Sequence, residues 1–195
     1  YNMSVHPHRL IDEISMSDPF VYADEKSHTY HLIGSGGRLY KSKDLKTWTG
    51  PYSVIDLAGT WMDGHFVAAA EIHHIGGRYY LAGTWNDHNH LIENVPRRYN
   101  VPTNQTQLLV ADSPGGPFTP LVRELDFCLG PGDWDIIDGT LYQEDGTTYM
   151  VFVHEWTQII DGTIAYMPLS KDLTRRTTEP VTLFRASEAP WSKEL

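Results

Sequence analysis

Three segments of the chain share one order of sequence features, and this internal repeat constrains the fold more than any other property. Each segment opens with an acidic residue, at Asp18, Glu71 or Asp138, and continues with a short apolar run. After a turn containing Gly or Asp, a second run begins on an aromatic residue: "YHLIGS", "YYLAGTW" or "YMVFVHEW". A third run and a fourth extended piece, such as "PVTLFRA", complete the unit. Four short strands per unit, separated by turns, are typical of a β-propeller blade.

We therefore predict an all-β fold, a β-propeller of four-stranded blades, with about three blades and the start of a fourth in residues 1–195. No long segment has apolar residues at helical spacing, which argues against an α-rich fold. The second unit contains a polar insertion at 86–104, "NDHNHLIENVPRRYNVPTN". Insertions of this length usually form loops with a function, so we expect it to line a binding cleft.

The opening acids of the three units are the first candidates for a functional site. The first strand of every propeller blade lines the central channel, so Asp18, Glu71 and Asp138 are expected to converge there. Carboxylates gathered in one place raise one another's pKa, which suits acid–base catalysis. Pro19 fits the start of an inner strand, where its missing N–H costs no ladder hydrogen bond. The alternative interpretation is that these acids are solvated turn residues.

Composition excludes several classes of partner. The formal net charge is −10, which disfavours nucleic acid and membrane surfaces. No window of about 18 uncharged apolar residues is present, so no membrane-spanning segment is expected. Cys128 is the single cysteine, which rules out a disulfide framework and a cysteine-based zinc site. The histidines form no pair in a metal-ligand context, and no metal site is predicted.

Several of these segments resemble glycoside hydrolase family 43. The resemblance is carried by "SDPFVY", "TYHLIGS", "SKDLKTW", "AAAEIHHIGGRYYLAGTW", "DSPGGPFTP" and "IIDGTLYQEDGTTYMVF", which together cover nearly the whole chain. It implies a five-bladed propeller that cleaves arabinose- or xylose-containing glycans. One departure is at residues 68–71, where members commonly have Trp-Ala-Pro-Glu and this chain has Ala-Ala-Ala-Glu.

The resemblance also implies residue roles in a single-displacement, inverting reaction. Asp18, in the Asp-Pro motif, corresponds to the general base, and Asp138 to the aspartate that orients the general acid and tunes its pKa. The general acid of the family is a Glu, usually from the fourth blade before Gly-Pro, and this chain has no Glu-Gly-Pro. Glu155 in "VFVHEW" and Glu71 remain as candidates, and a substrate-lining role suits Glu71 better. The alternative for Glu155 is a rim residue paired with Arg or Lys.

Residues beside these acids are candidates for substrate binding. His154 and Trp156 flank Glu155, where a hydrogen bond and apolar burial would raise the pKa of a carboxylic acid. Trp85 and Trp156 have flat rings that can stack on sugars, although such tryptophans also serve as core packing. No cofactor is required, but calcium is possible because some relatives hold an ion in the channel.

The sequence thus favours a glycosidase acting on an oligo- or polysaccharide. The alternatives are a non-catalytic carbohydrate-binding propeller and a related five-bladed glycosidase acting on other sugars. Residues 1–195 are expected to be the N-terminal portion of one propeller domain, with open edges that favour self-association. The resemblance also implies a secreted or periplasmic location.

Overall fold

The computed structural model describes residues 7–92, 101–124 and 127–191. In these ranges the chain forms three antiparallel sheets, and the strands of each sheet come from one continuous segment. The three sheets correspond to the three sequence units, which confirms the all-β prediction and the grouping into blades. No helix in the described ranges is both long and apolar enough to cross a membrane.

Blade 1 has five strands, one more than the repeat predicts. The extra strand comes from the segment before the first unit and pairs with the outermost strand of the blade, with Arg9 opposite Trp48. From the outer to the inner edge, the order is first, fifth, fourth, third, second. The strands are β1 (His8–Leu10), β2 (Phe20–Asp24), β3 (Thr29–Ile33), β4 (Arg38–Ser42) and β5 (Thr47–Ser53).

Blade 2 corrects the interpretation of residues 86–104 as a loop. Both central strands continue into this segment, and their pairing reaches Ile92 opposite Val101. Asn86 faces Asn104, and its Nδ2 donates to Asn104 Oδ1 at 2.8 Å, so polar side chains support the pairing. Residues 93–100 lie outside the described part of the chain. The strands are β6 (Val67–Ile75), β7 (Arg78–Ile92), β8 (Val101–Ala111) and β9 (Thr119–Pro120).

Blade 3 follows the predicted order of four strands. Its outermost strand is the segment "VTLFR", in which every residue is exposed. A four-residue helix, α1 (Trp156–Ile159), lies between the second and third strands. The strands are β10 (Ile136–Glu144), β11 (Thr147–His154), β12 (Thr163–Pro168) and β13 (Val181–Arg185).

The hydrophobic core lies between the blades. Alternation along the strands of blade 2 sends Leu81 and Leu109 into a cluster shared with blade 1. The neighbouring residues Ala82, Leu108 and Val110 enter a second cluster, shared with blade 3. Burial of a side chain as large as leucine contributes about 1.5–3 kcal/mol. Blade 2 is therefore covered on both faces, and its neighbours hold the inner strands side by side.

Candidate active site

A left-handed backbone recurs at the inner strands of the three blades. In β6 a bulge lies between Ala68 and Glu71, and in β10 between Ile137 and Thr140. The left-handed residue within each bulge is Ala69, with φ of 47°, or Asp138, with φ of 53°. In blade 1 the corresponding residue is Asp18, two positions before β2, with φ of 52°. Since bulges often re-aim a side chain near an active site, these three positions are structurally equivalent points of the channel wall.

The equivalence corrects the predicted place of Glu71 in the repeat. The residue of blade 2 that matches Asp18 and Asp138 is Ala69, not Glu71. Glu71 lies two positions later, opposite Ala82, as Phe20 lies opposite Ile33. Aligning the three units by their acidic residues therefore places Glu71 two positions away from the residue that matches Asp18 and Asp138.

A glycine opposite the first bulge permits close backbone approach. Gly34 faces Asp18 and Pro19, and the Ser35 N–H donates to Ser17 O at 3.0 Å. A Cβ on Gly34 would lie 2.6 Å from Ser17 O and 2.8 Å from Asp18 O, too close for any side chain. The glycine in "YHLIGS" therefore allows the strand to turn Asp18 toward the channel.

Hydroxyl groups join each bulge to the preceding blade. Ser35 Oγ in blade 1 accepts the N–H of Ala69 in blade 2 at 3.0 Å. Thr84 Oγ1 in blade 2 accepts the N–H of Asp138 in blade 3 at 3.0 Å. Ser35 and Thr84 hold the same place in "LIGS" and "LAGT", so the interblade contact repeats with the fold.

The negative charges of Asp18 and Glu71 both act on Asp138. Strand β6 contacts both β2 and β10, which brings the three inner strands together. The pKa of Asp138 is raised above its usual value by desolvation, and further by the negative charges of Asp18 and Glu71. Asp138 also keeps contact with solvent, so water screens part of this repulsion. The arrangement suits a site that takes up and releases protons.

Asp18 and Glu71 each have a defined partner. Ser35 Oγ donates to Asp18 Oδ2 at 2.6 Å. Glu71 Oε2 lies 3.0 Å from His73 Nε2. The two carboxylates are therefore held in place by neighbours on their own blades.

Glu155 belongs to a different group of side chains. It is buried, and its carboxyl is hydrogen-bonded to that of Asp135, which has no exposed surface. Desolvation raises the pKa of Asp135 to about 6, although hydrogen bonds from Asn104 and Glu155 lower it. The Asn104 N–H donates to Asp135 Oδ1 at 2.5 Å, which ties the pair to blade 2. Among its partners, Glu155 thus has the carboxyl group of Asp135.

Two predicted sugar contacts need correction. Trp85 has no exposed surface and packs in the cluster between blades 1 and 2, so it cannot stack on a sugar. His154 is buried, with its ring stacked on Trp134 at 3.9 Å between centroids. Its Nε2 lies 2.6 Å from Gln158 Oε1, so its hydrogen bond goes to Gln158 and not to Glu155 as expected. The side chain of Trp156 lies outside the part of the chain that the structure describes.

An exposed aromatic residue that the sequence analysis missed lies beside the bulges. Phe66 is 68% exposed, directly before β6, and its ring lies 3.6 Å from the position of a Cβ built on Gly36. The Gly36 N–H donates to Val67 O at 2.8 Å, which joins this turn to the start of β6. The feature of the sequence that could have identified Phe66 is its position as an aromatic residue directly before an inner strand. Phe66 therefore offers a flat apolar surface beside the turn that contains Gly36.

The described residues do not fit a metal centre. No group of three or more His, Cys, Asp or Glu side chains among them is arranged to hold an ion.

Comparison with known proteins supports the resemblance seen in the motifs. A family model described as "Glycosyl hydrolases family 43" matches residues 10–194. None of the curated proteins compared with the chain matches it.

Solved structures extend this result. An endo-arabinase from Bacteroides thetaiotaomicron is 36% identical, with a TM-score of 0.78, and the match covers 93% of this chain and 60% of that one. An endo-1,4-beta-xylanase from the same species is 19% identical, with a TM-score of 0.61 and coverage of 88% and 53%. An endo-arabinanase from Bacillus licheniformis is 21% identical, with a TM-score of 0.59 and coverage of 85% and 55%. The chain thus spans only about half to three fifths of the length of these proteins. By its match over residues 10–194, the chain belongs to glycosyl hydrolase family 43.

Proposed function

We propose that the protein carrying this chain is an inverting glycosidase that hydrolyses arabinose-containing polysaccharides. The proposal rests on the pair Asp18 and Asp138, which share a left-handed backbone at equivalent positions and interact electrostatically. Family 43 membership supports glycoside hydrolysis by this pair. A non-catalytic propeller would not need two carboxylates aimed at the same point.

The proposed reaction is a single displacement. Asp18 accepts a proton from water while the water oxygen bonds to the anomeric carbon. The bond from that carbon to the leaving oxygen breaks, and a general acid gives that oxygen its proton. Asp138 stays near the acid, and its negative charge favours the protonated form of the acid.

Two candidates exist for the general acid. In favour of Glu155, the Asp135–Glu155 pair is buried, and burial favours a bound proton. Against it, Glu155 would have to leave its contact with Asp135 to reach a sugar oxygen. The alternative is a carboxylic acid from another part of the protein, as in the family pattern of a Glu on the fourth blade.

The substrate is proposed from the similarity to the Bacteroides endo-arabinase, at 36% identity. We infer an arabinan, cleaved within the chain, with xylose-containing glycans as the alternative. Phe66 supports binding of a sugar chain, because an exposed aromatic ring next to the turn that follows β3 can stack on a sugar face. Such a polymer lies outside the cytoplasm, so secretion or export to the periplasm is part of the proposal.

The test is hydrolysis by the full-length protein of linear arabinan, xylan and nitrophenyl pentosides. We expect release of arabino-oligosaccharides, with xylan and nitrophenyl substrates cleaved much more slowly. Proton NMR of the first products should show the anomer opposite to that of the bond cleaved. Retention of configuration would overturn the single displacement. Binding without hydrolysis of any substrate would favour a carbohydrate-binding propeller.

A further inference from the structure

Ser35 contacts both the proposed general base and the neighbouring blade. We propose that Ser35 is a positioning residue, which holds Asp18 Oδ2 so that Oδ1 faces the attacking water. This inference rests on the proposed function, in which Asp18 is the base. It assigns a role in the reaction to Ser35, in the turn that follows β3.

The hydrogen-bond directions around Ser35 Oγ follow from its chemistry. A hydroxyl donates one hydrogen and accepts through its lone pairs. The N–H of Ala69 can only donate, so Ser35 Oγ accepts there, at 3.0 Å. Its hydrogen remains available for Asp18 Oδ2, which lies 2.6 Å away, the short distance expected of a hydroxyl on a carboxylate.

The hydroxyl is also attached to a restrained backbone. The Ser35 N–H donates to Ser17 O at 3.0 Å, and the next residue, Gly36, donates to Val67 O at 2.8 Å. Ser35 is therefore tied by its main chain to the strand that carries Asp18, and by Gly36 to blade 2. Because the donor is restrained, the carboxylate of Asp18 loses much of its rotation about the Cβ–Cγ bond.

The equivalent residue of blade 2 shows that this contact is specific to Asp18. Thr84 accepts the N–H of Asp138, but its hydroxyl lies 3.2 Å from Thr106 Oγ1. Within the described residues, the carboxylate of Asp138 receives no such hydroxyl donor. The hydroxyls of Ser35 and Thr84 therefore both make an interblade contact. Only the Ser35 hydroxyl also donates a hydrogen bond to a proposed catalytic carboxylate.

Positioning has a kinetic signature that differs from substrate binding. A misplaced catalytic group slows the chemical step, with losses that reach about 10²-fold for a displacement of 1 Å. Ser35 is not proposed to touch the sugar, so the KM should stay nearly the same. Threonine should replace serine, since blade 2 carries a threonine at this place.

The experiment is a double-mutant cycle in the full-length protein, with arabinan as substrate. We expect Ser35→Ala to lower kcat about 10- to 100-fold, with KM within about twofold of the original, and Ser35→Thr to recover most of the rate. In an Asp18→Asn background, Ser35→Ala should have no further effect, because its action passes through the carboxylate.

Each contrary outcome has a distinct meaning. An equal loss of kcat from Ser35→Ala with and without Asp18→Asn would overturn the positioning role, and so would a fully active Ser35→Ala. A fully active Asp18→Asn would instead overturn the proposed function. If Ser35→Ala does not fold, Ser35→Cys takes its place: its thiol is a weaker donor and must lower kcat at unchanged KM.

Discussion

Asp18 and Asp138 lie at equivalent positions of blades 1 and 3 and have nearly the same left-handed backbone, with φ angles of 52° and 53°. A left-handed backbone is uncommon for residues other than glycine, although Asp adopts it more readily than most. Its repetition with the same side chain indicates that the fold uses the bulge to aim a carboxylate into the channel. Ala69 keeps the backbone of the bulge without the carboxylate, so only two of the three equivalent positions are available for acid–base chemistry.

Asp18→Asn should abolish turnover while leaving substrate binding nearly intact. The amide keeps the shape of the side chain but cannot accept a proton from water, and loss of a general base costs about 10²–10⁴-fold in rate. The measurement is kcat on arabinan, with the Kd for an arabino-oligosaccharide from calorimetry as control. Near-normal kcat would remove Asp18 from the mechanism.

Asp138→Asn should change the pH dependence of the reaction. The negative charge of Asp138 favours the protonated form of the nearby general acid, so its removal lowers the pKa of that acid. The alkaline limb of the profile of kcat/KM against pH is then expected to move to lower pH. An unmoved alkaline limb in a folded variant would contradict the tuning role of Asp138.

Glu155→Gln separates the two assignments of the general acid. If Glu155 is structural, glutamine can still hydrogen-bond Asp135, and kcat should change by less than about tenfold, below the usual range for general-acid loss. If Glu155 is the acid, kcat on arabinan should fall by about 10²–10⁴-fold. An activated aryl glycoside, whose leaving group needs little protonation, should then be cleaved almost normally.

Asp135→Asn should alter the pH dependence of stability. The pKa of Asp135 is about 6 in the folded protein, above its usual value of 3.8. Between these pH values the folded state holds a proton that the unfolded state has released, so stability falls as pH rises through this window. The variant should lose this slope and gain up to about 3 kcal/mol at pH 7, at about 1.4 kcal/mol per pKa unit.

Urea unfolding at pH 4 and pH 7 measures this difference. Asp12→Asn, which changes an exposed carboxylate outside the blades, is the matched control and should leave the slope unchanged. Equal slopes for the original protein and Asp135→Asn would contradict the raised pKa of Asp135.

Phe66→Ala should weaken binding of the sugar chain without slowing the chemical step. Phe66 is 68% exposed, so its removal leaves no large cavity in the core. Loss of one stacking surface should raise KM on arabinan about three- to tenfold, in line with the ~0.5–1.5 kcal/mol of an aromatic contact. Phe66→Tyr keeps the ring and should behave as the original does. A change in kcat alone would argue against a binding surface at Phe66.

The sequence predicted what depends on the repeat and missed what depends on contacts between blades. Apolar runs and turns identified the strands, and the aspartates at 18 and 138 were recognised as equivalent because each opens a unit of the repeat. Glu71 was assigned to the wrong position because the units were aligned by their acidic residues, and blade 2 has an alanine, Ala69, where the other two have aspartate. Trp85 was misjudged because its burial comes from the face of blade 1. Asp135 was overlooked since its partners, at 104 and 155, come from a neighbouring blade and from beyond the next strand.

The hydroxyl contacts of Ser35 and Thr84 also have a consequence for protein engineering. Each one begins in one blade and ends on the inner strand of the next, so the unit that sets a catalytic aspartate spans the boundary between two blades. A chimera that joins two family members at a blade boundary would take the hydroxyl from one protein and the N–H group that donates to it from the other. Crossover points placed between the first and second strands of a blade separate the two sides of the bulge instead. Recombination between the second and third strands keeps each hydroxyl with its own inner strand but still separates it from the inner strand that follows, so an exchange that preserves both contacts has to move a hydroxyl and the next inner strand together.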